Sequence, residues 1–141
     1  AELALETARL ALDEGISVLE ITMTTPNALQ VTSELVHEYP SAVIGVGTVL
    51  SCEDAKNARV AGAKFLMSPT TISEILQVFK DTHILYIPGA MTPTEVLNAH
   101  TSGARIVKIY PVTMLGGEQY IQALRRPFHH IPMVASQGIT M

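Results

Sequence analysis

Residues 42–67 read AVIGVGTVLSCEDAKNARVAGAKFLM, and this stretch decides the fold. Ala42 to Val49 is rich in β-branched residues and reads as a strand. Ser51 followed by Asp54 resembles a capping box, opening a helix that runs to about Ala61. Gly62 supplies the left-handed residue that ends helices, and Phe65 to Met67 begins the next strand. Strand, cap, helix, glycine and strand follow one another with short connections.

The same order repeats in both directions. Upstream, Ala1 to Glu14 is dense in helix-forming Ala, Leu and Glu, Gly15 ends it, and Ser17 to Met23 is a strand. Thr25-Pro26 reads as a helix cap with proline in the first turn. Ala28, Thr32, Leu35 and Tyr39 carry that helix on to Pro40. Downstream, Thr71 reads as the cap of a helix over Ile72 to Phe79, and Ile84 to Ile87 as a strand. Thr92, Pro93 and Glu95 form another cap, with Gly103 closing its helix. Ile106 to Tyr110 reads as a strand, Gly117 to Leu124 as a short helix and Met133 to Ala135 as the last strand.

Strands starting near residues 18, 43, 65, 84, 106 and 133, with helices between, predict a parallel sheet covered by helices. Gly45-Val46-Gly47 lacks the third glycine of a dinucleotide-binding turn, which sets a Rossmann sheet aside. A (β/α)8 barrel is the expectation, here with about six of its eight strands in one domain over residues 1–141. The chain therefore reads as a barrel truncated at both ends, because parallel edges left open would invite aggregation.

Composition narrows the function classes. Hydrophobic residues make up 48% of the 141 and charged residues 16%, which supports a packed core rather than disorder. No apolar run approaches the ~18 residues of a membrane span, so no membrane association is expected. A net charge of −4, with nine Lys and Arg scattered along the chain, argues against nucleic acid. The single cysteine, Cys52, excludes an internal disulfide and points to a reducing compartment, taken as the cytoplasm. His37, His83, His100, His129 and His130 show no metal-ligand spacing, so neither metal nor cofactor is expected. Gly116-Gly117 before a helix reads as a plain turn rather than an anion seat.

The polar residues in the strands are the informative ones. In a barrel the reacting groups gather where strands end. Those ends offer Glu20, Thr22, Thr24, Thr48, Ser68, Pro88-Gly89, Lys108, Tyr110 and Ser136-Gln137. In Arg105-Ile106-Val107-Lys108-Ile109-Tyr110-Pro111, alternation sends Val107 and Ile109 to the helices and Lys108 inward. Desolvation favours the neutral amine, which can attack a ketone and form a Schiff base. An edge lysine reaching water is the structural alternative. Glu20, between Leu19 and Ile21, is the matching candidate for proton transfer, with a buried ion pair as its alternative.

These runs, Val18-Leu19-Glu20-Ile21-Thr22 with Thr25-Pro26, Gly45 to Leu50, Phe65 to Pro69, Ile87-Pro88-Gly89 and Val107 to Pro111, resemble one family. It is the 2-keto-3-deoxy-6-phosphogluconate (KDPG) and 4-hydroxy-2-oxoglutarate (KHG) aldolases, in particular their plant and cyanobacterial branch. The resemblance covers nearly the whole chain. It implies a metal-free class I aldolase on a homotrimeric TIM barrel, cleaving KDPG or a related keto acid to pyruvate plus glyceraldehyde 3-phosphate or glyoxylate. For a plant protein it implies the plastid stroma.

Matched position by position, Lys108 is the Schiff-base lysine and Glu20 the general acid–base. Thr48 contacts the pyruvate carboxylate, Pro69 lines its pocket, and Tyr110 stands where a phenylalanine is usual. Two positions depart. Thr24 replaces an arginine that clamps the carboxylate, which puts carboxylate affinity in question. Ser136-Gln137-Gly138 replaces a Thr-Gly-Gly phosphate turn, so phosphorylation of the substrate stays open. A catalytically impaired relic or non-catalytic subunit, or a phosphate-binding barrel isomerase or epimerase, are the alternative readings.

Overall fold

Helix and strand alternate through residues 1–139, the part of the chain that the computed structural model describes. Two compact units divide it: Ala1–Met67 with Thr82–Leu85, and Ser68–Asp81 with the chain from Tyr86 onward.

The first unit runs α1 (Glu2–Asp13), β1 (Val18–Thr22), α2 (Ala28–Glu38), β2 (Val43–Gly47), α3 (Cys52–Val60) and β3 (Phe65–Met67). β1 pairs with β2 in parallel from Val18 opposite Val43 to Thr22 opposite Gly47. β2 pairs with β3 through Gly45 opposite Phe65 and Val46 opposite Leu66. The helical spacing is what builds the core. Ala8 and Leu12 of α1 and Ala28, Val31 and Leu35 of α2 project onto Ile21 and Ile44 of the sheet. Leu35 and Val31 are wholly buried, each worth about 1.5–3 kcal/mol in removed apolar surface. At the rim, Arg9 donates to both carboxylate oxygens of Glu38, and Tyr39 Oη donates to Asp13, which ties α1 to α2.

The second unit runs α4 (Ser73–Phe79), the end of β4 (Leu85–Ile87), β5 (Gly89–Ala90), α5 (Pro93–Thr101), β6 (Val107–Ile109), α6 (Val112–Leu115), α7 (Gly117–Arg125) and β7 (Met133–Ala135). β6 is the middle strand of a parallel three-stranded sheet, with Lys108 opposite Gly89 on one side and Val134 on the other.

The predicted alternation holds, with four local corrections. The expected fourth strand forms as β4, but a further two-residue strand, β5, follows beyond Pro88, which has no N–H to give the ladder. Thr25-Pro26 does not cap α2. Thr25 N–H donates to Thr22 O in a turn, and the helix begins at Ala28 behind Asn27, held at φ 57°. Thr71 does not cap α4 either, because its hydroxyl donates to Gly89 O. The N–H of Ile72, the N-cap residue, donates instead to Tyr86 Oη. Finally, α6 was not expected, since a single turn is too short to show a period. Gly116 at φ 112° closes it and opens α7. Ser51 caps α3, its Oγ accepting from Asp54 N–H, and Thr92 with Glu95 makes a full capping box. No helix among the described residues is long and apolar enough to cross a membrane.

Candidate active site

The chemistry-bearing residues fall into two groups, one in each unit. In the first, Glu20 lies mid-strand in β1, opposite Gly45 of β2. Its neighbours Leu19 and Ile21 pack on the helical core, as the alternation requires. Its carboxyl lies over Gly47, and a Cβ built there would fall on Oε1. That oxygen is buried. A Cβ at Gly45 would collide with the buried ring of Phe65. The two glycines that failed as a nucleotide motif are thus needed for another reason: they leave room for side chains from the strands on either side.

Thr22 and Thr24 share a hydrogen bond between their hydroxyls at 2.8 Å, with Thr24 exposed. Thr48, directly after Gly47, has φ 56°. A β-branched residue in the left-handed region is strained, and such strain tends to collect at working positions.

In the second unit Lys108 is 6% exposed, between Val107 and Ile109, which are fully buried. Its Nζ stands over the Tyr110 ring, 5.5 Å from the centroid. The backbone is fixed by Lys108 N–H donating to Pro88 O at 2.8 Å and Tyr110 N–H donating to Ala90 O at 3.2 Å. Pro69 belongs to a loop that lies flush on β5. A Cβ at Gly89 would fall on the Pro69 carbonyl, and Gly89 N–H donates to Thr70 O. Tyr86 locks that loop by donating to Ser68 Oγ at 3.0 Å while accepting from Ile72 N–H at 3.2 Å. Burial pushes the Tyr86 phenol above its ordinary pKa, with the bonds to Ser68 and Ile72 opposing.

Ser136 N–H donates to Ile109 O, and Ser136 O accepts from Val112 N–H, so the turn after β7 is held between β6 and α6. Gly138 sits at φ 68° against the Thr113 side chain, where both backbone and space require glycine. It borders a cavity of about 510 Å³ lined by Val112, Thr113, Gly117, Glu118, Ile121 and Ala135.

The structure therefore groups Glu20, Thr24 and Thr48 in one unit, and Lys108, Tyr110, Pro69, Ser136 and Gly138 in the other. Sequence reasoning missed Tyr86, Gly47 and Gly89 as supports. A tyrosine inside a strand was the signal for the first, since a buried phenol needs a partner. Among the described residues no group of three or more His, Cys, Asp and Glu side chains could hold a metal ion. His100, His129 and His130 meet ring edge to ring face instead.

Comparison with known proteins adds to this geometry. A 2-dehydro-3-deoxy-phosphogluconate aldolase of Treponema pallidum is 33% identical over 136 residues, covering 96% of this chain and 65% of the relative. A KHG/KDPG aldolase of Escherichia coli K12 is 30% identical over 139 residues, covering 99% and 65%. The chain thus spans 65% of the length of these two curated relatives. Among solved structures, it is similar to a KDPG aldolase of Legionella pneumophila with pyruvate captured as a covalent carbinolamine. That match has a TM-score of 0.90 and 30% identity, and covers 98% of this chain and 67% of the other. With a parallel β/α fold shared along nearly its whole length and the KDPG and KHG aldolase profile matching residues 1–141, the chain belongs to the KDPG and KHG aldolase family.

Proposed function

We propose that the chain carries a class I aldolase site that releases pyruvate from KDPG or a related 4-hydroxy-2-keto acid. One observation carries the reading: a lysine 6% exposed in the middle strand of a parallel sheet, between two fully buried aliphatic residues. A lysine amine is the group that can add to a ketone and form a Schiff base.

In this reading the Lys108 amine adds to the C2 carbonyl of the keto acid, giving a carbinolamine. Loss of water yields the protonated imine. The C4 hydroxyl then gives up its proton, the C3–C4 bond breaks, and its electron pair moves into the imine to form an enamine. An aldehyde leaves: glyceraldehyde 3-phosphate from KDPG, or glyoxylate from 4-hydroxy-2-oxoglutarate. Protonation at C3 and hydrolysis release pyruvate and restore the amine. Glu20 serves as the acid and base that carries these protons, a role worth about 10²–10⁴ in rate. The resemblance gives Thr48 a contact with the substrate carboxylate and Pro69 a place in its pocket lining, with Thr24, Tyr110, Ser136 and Gly138 as further substrate-binding residues. The relatives' names and the carbinolamine captured in the Legionella protein support the reading. A homotrimer in a reducing compartment such as the cytoplasm completes it.

Pyruvate with borohydride should leave a stable adduct on Lys108, detected by peptide mass spectrometry. Lys108→Met should abolish both adduct and turnover. Turnover surviving Lys108→Met, or a wild-type chain with neither adduct nor turnover, overturns the proposal.

A further inference from the structure

We infer that Gly47 is a positioning residue for Glu20: its missing side chain is the seat in which the carboxyl lies. Gly47 has no positive φ, so its backbone is one that alanine adopts freely. Space alone demands the glycine. A Cβ at residue 47 would fall on Glu20 Oε1, 2.5 Å from Cδ and 2.9 Å from Cγ. All three atoms belong to the outer part of one side chain. Alanine is therefore accommodated when Glu20 swings away, with the strand left in place.

Gly45 makes the contrast within the same strand. A Cβ there meets the ring of Phe65, which is buried, so moving it would disturb the packing around it. Gly45 serves packing, and Gly47 serves the carboxyl. The consequence is catalytic, because displacing an acid–base group by about 1 Å can cost on the order of 10²-fold in rate.

This inference rests on the aldolase reading for its activity readout, and the test separates the two. A double-mutant cycle in the full chain compares wild type, Gly47→Ala, Glu20→Gln and the double variant. Gly47→Ala is expected to lower kcat about ten- to hundredfold with KM changed less than about threefold. In the Glu20→Gln background the same alanine is expected to change kcat less than about twofold, because its effect passes through a carboxylate already removed. An equal loss in both backgrounds, or full activity of Gly47→Ala, overturns the inference.

Thermal melting supplies a second cycle that needs no activity. Any drop in melting temperature from Gly47→Ala should vanish when Glu20→Ala empties the space. A drop that persists overturns the seat. A wild-type chain that forms no pyruvate adduct sinks the aldolase reading, while the melting cycle still reports the contact.

Discussion

Lys108 and Thr24 show how differently two of the proposed site residues depend on their surroundings. Lys108 is defined by its burial: it is 6% exposed, and the Tyr110 ring stands beneath its amine. Thr24 is exposed and tied to Thr22 through a hydroxyl pair. A hydroxyl gives a carboxylate one hydrogen bond from a neutral donor, where a guanidinium gives two parallel ones from a charged donor. The resemblance implies an arginine at this position. Thr24→Arg should therefore tighten binding of the keto acid by roughly tenfold or more, since hydrogen bonds to charged groups contribute about 1.5–3 kcal/mol. Steady-state kinetics would read this as a fall in KM. An unchanged KM would mean that the carboxylate is held elsewhere.

At the scale of elements, the α5 cap is the clearest case of local sequence fixing local structure. Glu95 Oε2 accepts from the backbone N–H of Met91 at 2.7 Å and of Thr92 at 2.9 Å, and Thr92 Oγ1 accepts from Glu95 N–H at 3.3 Å. The Met91 bond is the largest cause holding the Glu95 carboxyl below its ordinary pKa; burial opposes it, and the two bonds with Thr92 add to the lowering. A carboxylate depressed on folding stabilises at pH above the unfolded value of about 4.3 and loses that contribution as pH falls through the folded value. Glu95→Gln should thus cost about 0.5–1 kcal/mol at pH 7, the range for a cap near a helix N-terminus. Urea titration at pH 3 and pH 7 checks it: the gap should close at the lower pH. A gap of equal size at both would remove the charge from the explanation.

For the whole molecule, the single-domain reading predicts one cooperative unfolding transition. Scanning calorimetry should give a van't Hoff enthalpy equal to the measured one for that unit of cooperativity. Two separable transitions, one for each compact unit, would overturn it. The trimer proposed above predicts a mass three times the 15.2 kDa of the chain by light scattering. A monomer at micromolar concentration would refute that part alone and leave the Lys108 chemistry standing.

The sequence by itself determined the order of helices and strands, the caps at Ser51 and Thr92, and the burial of Lys108. Each of these follows from near neighbours along the chain: a period of two or 3.6, or a hydroxyl three residues from an N–H. What only tertiary structure decided lies between elements. Gly47 read as part of a strand and Gly89 as a strand end, yet each is glycine because a neighbouring segment occupies the place of its side chain. Thr71 looked like a cap and was drawn off by Gly89 O, while Tyr86, distant in sequence, took the Ile72 N–H. Such choices are invisible in one dimension because a hydrogen-bonding group or a volume goes to whichever partner the fold brings closest.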